Sequence, residues 1–258
     1  MQLFKILFIA SLKSQTQYAF DFIVNIIGNF LGVFADFLII AMILIRFQNI
    51  QGWTLVEIAV IYSIIEFGFG IYRVIGDGLN NFETLILSGR FDTLLIRPAS
   101  VLGQAMLQTV DFKKLGLVLQ ASLVGIWGLS QIEFIYPFAW IYLPTLYFAS
   151  IAMNLLISIL LASTAFWTGK NEDIVILGHY ATRTAAQYPA TIYHKFFQSV
   201  MTYVIPFFTV TYYPLMFLTG KSQQSLYLLA PWLGISILAP ITISVWKMGI
   251  KRYSSTGT

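Results

Sequence analysis

The sequence has no cysteine, and only 15 basic and 11 acidic residues among 258. The first absence excludes disulfides, thiolate metal ligands and a cysteine nucleophile. The second excludes an ordinary water-facing surface. A soluble domain is about one quarter charged, and this chain is 10% charged. Histidine is also scarce. His179 and His194 are not at helical spacing and have no carboxylate cluster beside them, so a zinc site is not expected and both read as surface histidines. A phosphate-binding loop needs G-x-x-x-x-G-K-[ST]. Gly220-Lys221-Ser222 has the tail of that motif, but Leu215 occupies the leading glycine position. No Gly-x-Ser-x-Gly elbow is present. The chain therefore reads as a non-enzyme with no cofactor and no nucleic-acid partner.

What is present is apolar. Hydrophobic residues make up 58% of the chain, mean hydropathy is +0.77, and there are 22 Phe, 14 Tyr and 6 Trp. Lipid is then the solvent, with the aromatics serving lipid contact and interfacial anchoring. A helix needs about 20 mostly apolar residues to cross the hydrocarbon core. Six segments qualify: 18–45, 53–72, 115–135, 138–167, 199–218 and 226–246. The expected fold is all-α and polytopic, one transmembrane domain over 1–258. The fifth span is the least regular because Pro206 and Pro214 interrupt it. Residues 1–17 read as a retained amphipathic surface helix, since Lys13 and Gln15 break the apolar run a cleaved signal would need.

Charge orients the spans. With the N-terminus inside, thirteen of the fifteen Lys and Arg residues fall on the inner side, and only Arg46 and Lys221 fall outside. This is the positive-inside pattern, and it places both termini in the cytoplasm. The stretch 168–198 is then a second inner segment.

The long inner connection, 73–114, carries the most information. Phe82, Leu85, Ile86, Leu94 and Leu95 recur at helical spacing, and Gly89 interrupts them, which predicts a helix–turn–helix. Pro98 ends the second piece and Ser100 can cap a following helix. The element is either a helix lying on the membrane surface or a docking piece for a soluble subunit.

Within it, the string Leu87-Ser88-Gly89-Arg90-Phe91-Asp92-Thr93-Leu94-Leu95-Ile96-Arg97-Pro98 resembles a signature of bacterial ABC-2 type permeases. Phe166-Trp167, Tyr188-Pro189, Pro206 and Tyr213-Pro214 resemble later blocks of the same family, in the same order. The resemblance implies the type V exporter architecture. In it, a membrane subunit pairs with a second permease chain, identical or paralogous, and with ABC ATPase subunits, in the bacterial cytoplasmic (inner) membrane. It implies that about 80–98 is the coupling helix. Phe82 and Ile86 would then present apolar knobs to a groove of the ATPase, and Gly89, Arg90, Asp92, Arg97 and Pro98 would complete the docking set.

Polar residues inside the spans are the other candidates. Asp21, Asn25, Asn29, Gly32 and Asp36 are spaced by 4, 4, 3 and 4 and form one stripe on the first span. A carboxylate at mid-membrane needs protein or water beside it. The stripe therefore either packs on another helix, helped by the small pair Gly28 and Gly32, or lines a substrate path. Glu66 lies deep in the second span, where it would pair with an asparagine or be protonated, and Glu57 near that span's outer end would reach water. Asp36 and Glu66 together would serve an ion-coupled secondary transporter, the alternative function. Tyr212, Tyr213 and Pro214 mark either an outer gate or an aromatic belt. With no basic cluster evident in the sequence, the cargo reads as amphipathic or lipophilic.

Overall fold

The structure, a computed structural model, describes residues 2–254. The described side chains begin at Phe8, so Lys5, one of the thirteen inner-side cations, lies outside them. Helix α1 (Gln2–Thr16) precedes α2 (Ala19–Phe47), and a two-strand hairpin, β1 (Asn49–Ile50) and β2 (Trp53–Thr54), leads into α3 (Leu55–Ile75). Thr54 starts α3 with a capping box. Its hydroxyl accepts from the Glu57 amide at 3.3 Å, and the Glu57 carboxylate accepts from the Thr54 amide at 2.8 Å. Glu57, expected to reach water, instead caps its own helix and pairs with Lys221 at 3.0 Å.

The 76–114 connection folds into α4 (Phe82–Leu87), α5 (Phe91–Leu95) and α6 (Val101–Leu107). Gly89 turns between α4 and α5 at φ +68, a conformation that favours glycine. Ser100 caps α6 by accepting from the Gly103 amide at 3.3 Å. Then come α7 (Leu115–Gln131), α8 (Ala139–Ser163), α9 (Ala165–Thr168) and α10 (Glu172–Ala186). The chain ends with α11 (Lys195–Ser199), a π turn at Val200–Val204, α12 (Phe207–Val210), α13 (Tyr212–Leu218) and α14 (Ala230–Arg252).

Five helical stretches among the described residues are long and apolar enough to cross a membrane, and their bounds lie close to those read from the sequence. A sixth is counted only if Lys195–Val204 and Phe207–Leu218 form one span, and these two pieces meet at 76°. Helix α3 is the core: 72% of its apolar window is buried, against 28% for α2 and 22% for the last span. Helices α7 and α8 press closely on it. A side chain at Gly68 would collide with Ser150 of α8, and one at Gly125 of α7 would meet Ser63.

The two ends of the bundle differ. At one end the Glu83 carboxylate accepts from the amides of Asn171 and Glu172 at 2.5 and 2.8 Å. There too Gln15 of α1 donates to the Val110 carbonyl at 2.6 Å, and Tyr253 packs on Phe91. Both ends of the described chain therefore sit with the 76–114 connection, at what is here called the basic end. At the opposite end the Ile135 amide donates to the Leu218 carbonyl at 3.1 Å, and Lys221 donates to the Gly52 carbonyl at 2.7 Å.

The passage from Asn171 to Leu218 departs from the expected span at 199–218. Helix α10 rises from the basic end until Arg183 meets Glu66, midway along α3. Helices α12 and α13 follow, and Tyr212 packs on Trp53 at the opposite end with ring centres 5.5 Å apart. The chain bends between Lys195–Val204 and Phe207–Leu218, where Pro206 has no N–H to continue the turn before it. Pro214 causes no break, since it is the third residue of α13, where N–H groups have no intrahelical partner.

Candidate functional site

The polar stripe of α2 does not pack against a helix of this chain at its small residues. No atom lies within 4 Å of a side chain added at Gly28 or Gly32. From Asn25 to Asp36 the stripe instead lines an open groove of about 590 Å³, with Lys114, Leu117 of α7, Arg73, Tyr180 and Arg183 as further walls. Its polar groups are ordered along the helix. Asp21 pairs with Lys113 at 2.6 Å and accepts from Asn25 at 2.9 Å. Asn29 accepts from Lys114 at 3.1 Å. Asp36, near the middle of α2, is exposed to the groove and makes no ion pair or hydrogen bond among the described residues.

Glu66 is not a free acid. It is fully buried, and Arg183 binds it with two hydrogen bonds of 2.6 Å, through Nε and Nη2. Gln187 adds a third at 2.6 Å, and the guanidinium lies 4.5 Å from the centre of the Phe69 ring. The expected asparagine partner and the protonated state are both replaced by this bidentate pair, which matches the fork of guanidinium to the carboxylate. Arg183 and His179, expected on an exposed inner segment, are 5% and 2% exposed. His179 stacks on Tyr72 at 4.7 Å and meets the Ser158 hydroxyl through Nδ1 at 3.2 Å.

Sequence reading missed Arg183, Arg73, Lys114 and Tyr180 as groove residues, and Gln187 as a buried partner of Glu66. One signal was available. A carboxylate deep in an apolar helix demands a cation, and the 168–198 stretch holds one four residues ahead of an amide at Gln187. Its 15-residue helix is too short to span a membrane, so apolar length leaves it in an inner segment.

The second candidate is the α4–α5 turn. Phe82 and Ile86, expected as outward knobs, face inward at 0% and 7% exposure. Phe82 packs on Phe91, Phe166 and Trp246 with ring centres 5.2 to 5.6 Å apart. The helices are too short to stay folded without burying their apolar face, and the bundle is the nearest partner. What faces out is Leu87, Leu95 and Ile96, the last 84% exposed, together with Arg90, Arg97 and Pro98. Asp92 lies beside Tyr253. Burial first, and then the Asp92 carboxylate, hold the Tyr253 hydroxyl above its ordinary pKa.

The third candidate, at the opposite end, is an aromatic cluster. Tyr212 lies 5.5 Å from Trp53 and 5.1 Å from Tyr213, and Tyr213 lies 5.0 Å from Tyr227. Tyr213 also shares a hydrogen bond of 3.1 Å with Thr202 across the bend, and Pro214 is buried beneath.

The family model described as ABC-2 family transporter protein matches residues 30–257, which take in the turn, the cluster and the groove apart from Val24, Asn25, Gly28 and Asn29. The chain belongs to the ABC-2 transporter family. This ABC-2 permease is thus a multi-pass membrane protein, the transport component of an ABC transporter and not a catalytic one. Among curated proteins and solved structures, none matches it significantly.

Proposed function

We propose that this ABC-2 permease is the membrane subunit of an ATP-driven exporter in the bacterial cytoplasmic membrane, with its basic end and both termini in the cytoplasm. A partner ATPase docks on the α4–α5 turn. A second permease chain, identical or paralogous, faces the groove and completes a substrate path whose walls include Asn25, Asn29 and Asp36. The Tyr212, Tyr213 and Pro214 cluster closes the outer end. Glu66 is excluded from the path by its burial and shapes it through Arg183.

The observation that carries the docking reading is the division of the α4–α5 turn into two faces. Phe82 and Phe91 anchor it to the bundle at 0% exposure, while Leu95 and Ile96 stand in solvent at 41% and 84%. A rigidly held helical turn with apolar tips and flanking Arg90 and Arg97 has the chemistry of a helix-in-groove contact. The reading is tested by co-purification with the ATPase. Ile96→Asp or Arg97→Glu is expected to abolish recovery of the ATPase with membrane insertion intact, and unchanged recovery would remove the docking role. The secondary-transporter alternative loses one of its two acids, because Glu66 is held by Arg183 and Gln187.

A further inference from the structure

We propose that the groove between α2 and α10 receives the anionic head group of an amphiphile, and that this is the class of cargo the permease moves. The word cargo rests on the permease reading above; the binding site does not.

Positive charge faces the groove. Two of the cations that line it belong to ion pairs whose acids do not line it, and a third pair, Asp21 with Lys113, stands beyond the lining residues. Arg183 lines it, while Glu66 lies fully buried behind. Arg73 lines it, while its partner Asp77, at 2.8 Å, lines the neighbouring cavity. Lys114 is the third cation, and among the described residues it meets no carboxylate, only the amide oxygen of Asn29. Three cations thus present one surface, which sequence order hid because they come from α3, the turn before α7, and α10. Donors remain for a ligand. Arg183 spends Nε and Nη2 on Glu66, which leaves Nη1. Arg73 spends Nε and Nη1, which leaves Nη2. A carboxylate or phosphate takes such N–H groups well.

The one acid in the groove gives the ligand a direction. Asp36 is seven residues beyond Asn29, about 10 Å further along α2 at the helix rise. The potential therefore runs from positive near Lys114 to negative near mid-membrane. A head group settles toward the basic end, beside Lys114. An apolar tail has room along the groove beside Gly28 and Gly32, which present no side chain, and beside Val24 and Leu117. A small anion without a tail would leave that part of the groove unfilled.

The test uses the full chain in nanodiscs of zwitterionic phospholipid, with radiolabelled dodecyl phosphate as probe and empty discs as background. Saturable binding is expected. Lys114→Gln should weaken it roughly ten-fold, the scale of one charge-assisted contact, and Lys114→Arg should restore it. Gly28→Leu should also weaken it by filling the tail channel, and Asp36→Asn should leave it equal or tighter. Inorganic phosphate should not displace the probe; if it does so on equal terms, the groove is a small-anion site and the amphiphile is wrong. Equal displacement by dodecyltrimethylammonium, or binding indifferent to Lys114→Gln and Gly28→Leu, overturns the proposal. Because no ATPase is present, a chain that binds the probe but recruits no ATPase overturns only the permease reading. One that recruits an ATPase but does not bind overturns only this proposal.

Discussion

Glu66 and Arg183 lie 117 residues apart in sequence and meet through two hydrogen bonds of 2.6 Å inside the helix bundle. The pair joins α10, which is too short to span a membrane, to the helix with the most buried surface. It therefore ties the stretch between α9 and α14 to the centre of the bundle.

Breaking this pair on one side leaves an uncompensated buried charge, which costs about 3–5 kcal/mol. Arg183→Met should lower the thermal unfolding midpoint in detergent sharply. The double variant Glu66→Gln with Arg183→Met should recover much of the loss, since two neutral groups need no counter-ion. Additive losses in the double variant would show that the pair is not coupled.

Close packing separates the glycines. Gly68→Val puts a side chain into Ser150, so α3 and α8 must move apart, at a cost of about 1–3 kcal/mol. Gly28→Ala meets no atom within 4 Å and should leave stability unchanged. Size-exclusion profiles and melting curves of the two variants compare them directly. Equal behaviour would mean that the α3–α8 contact is not close.

The two faces of the α4–α5 turn should fail differently. Phe82→Ala opens a cavity in the cluster with Phe91, Phe166 and Trp246 and should cost about 3–5 kcal/mol. Ile96→Asp, at an 84% exposed site, should leave the melting curve within about 0.5 kcal/mol of the parent. If Ile96→Asp destabilises as much as Phe82→Ala, the turn has no free face.

At the opposite end, Lys221 pairs with Glu57 at 3.0 Å while 27% of its side chain is exposed. Screening limits such a pair to about 1 kcal/mol or less. Lys221→Gln should therefore change stability little, whereas Trp53→Ala, at 2% exposure beneath Tyr212, should cost about 3–5 kcal/mol. Comparable losses would place the strength of this end in the ion pair and not in the aromatic stack.

The sequence by itself determined whatever depends on runs and near neighbours. Apolar length marked five helices long and apolar enough to cross a membrane, because a bilayer has a fixed thickness. Local chemistry marked the turn at Gly89 and the cap at Ser100, since both act within a few residues. The stripe on α2 was legible too, because helical periodicity puts its residues on one face. Only the tertiary structure decided what meets across the bundle. Phe82 and Ile96 are both apolar residues of one short element, and nothing local separates the one that anchors from the one that faces solvent. Arg183 left the exposed segment because Glu66 required a counter-ion in the interior. Arg73, Lys114 and Arg183 became one surface because three elements far apart in the chain pack side by side. Burial and charge pairing are satisfied by the whole fold, so their partners are chosen there and not in the order of residues.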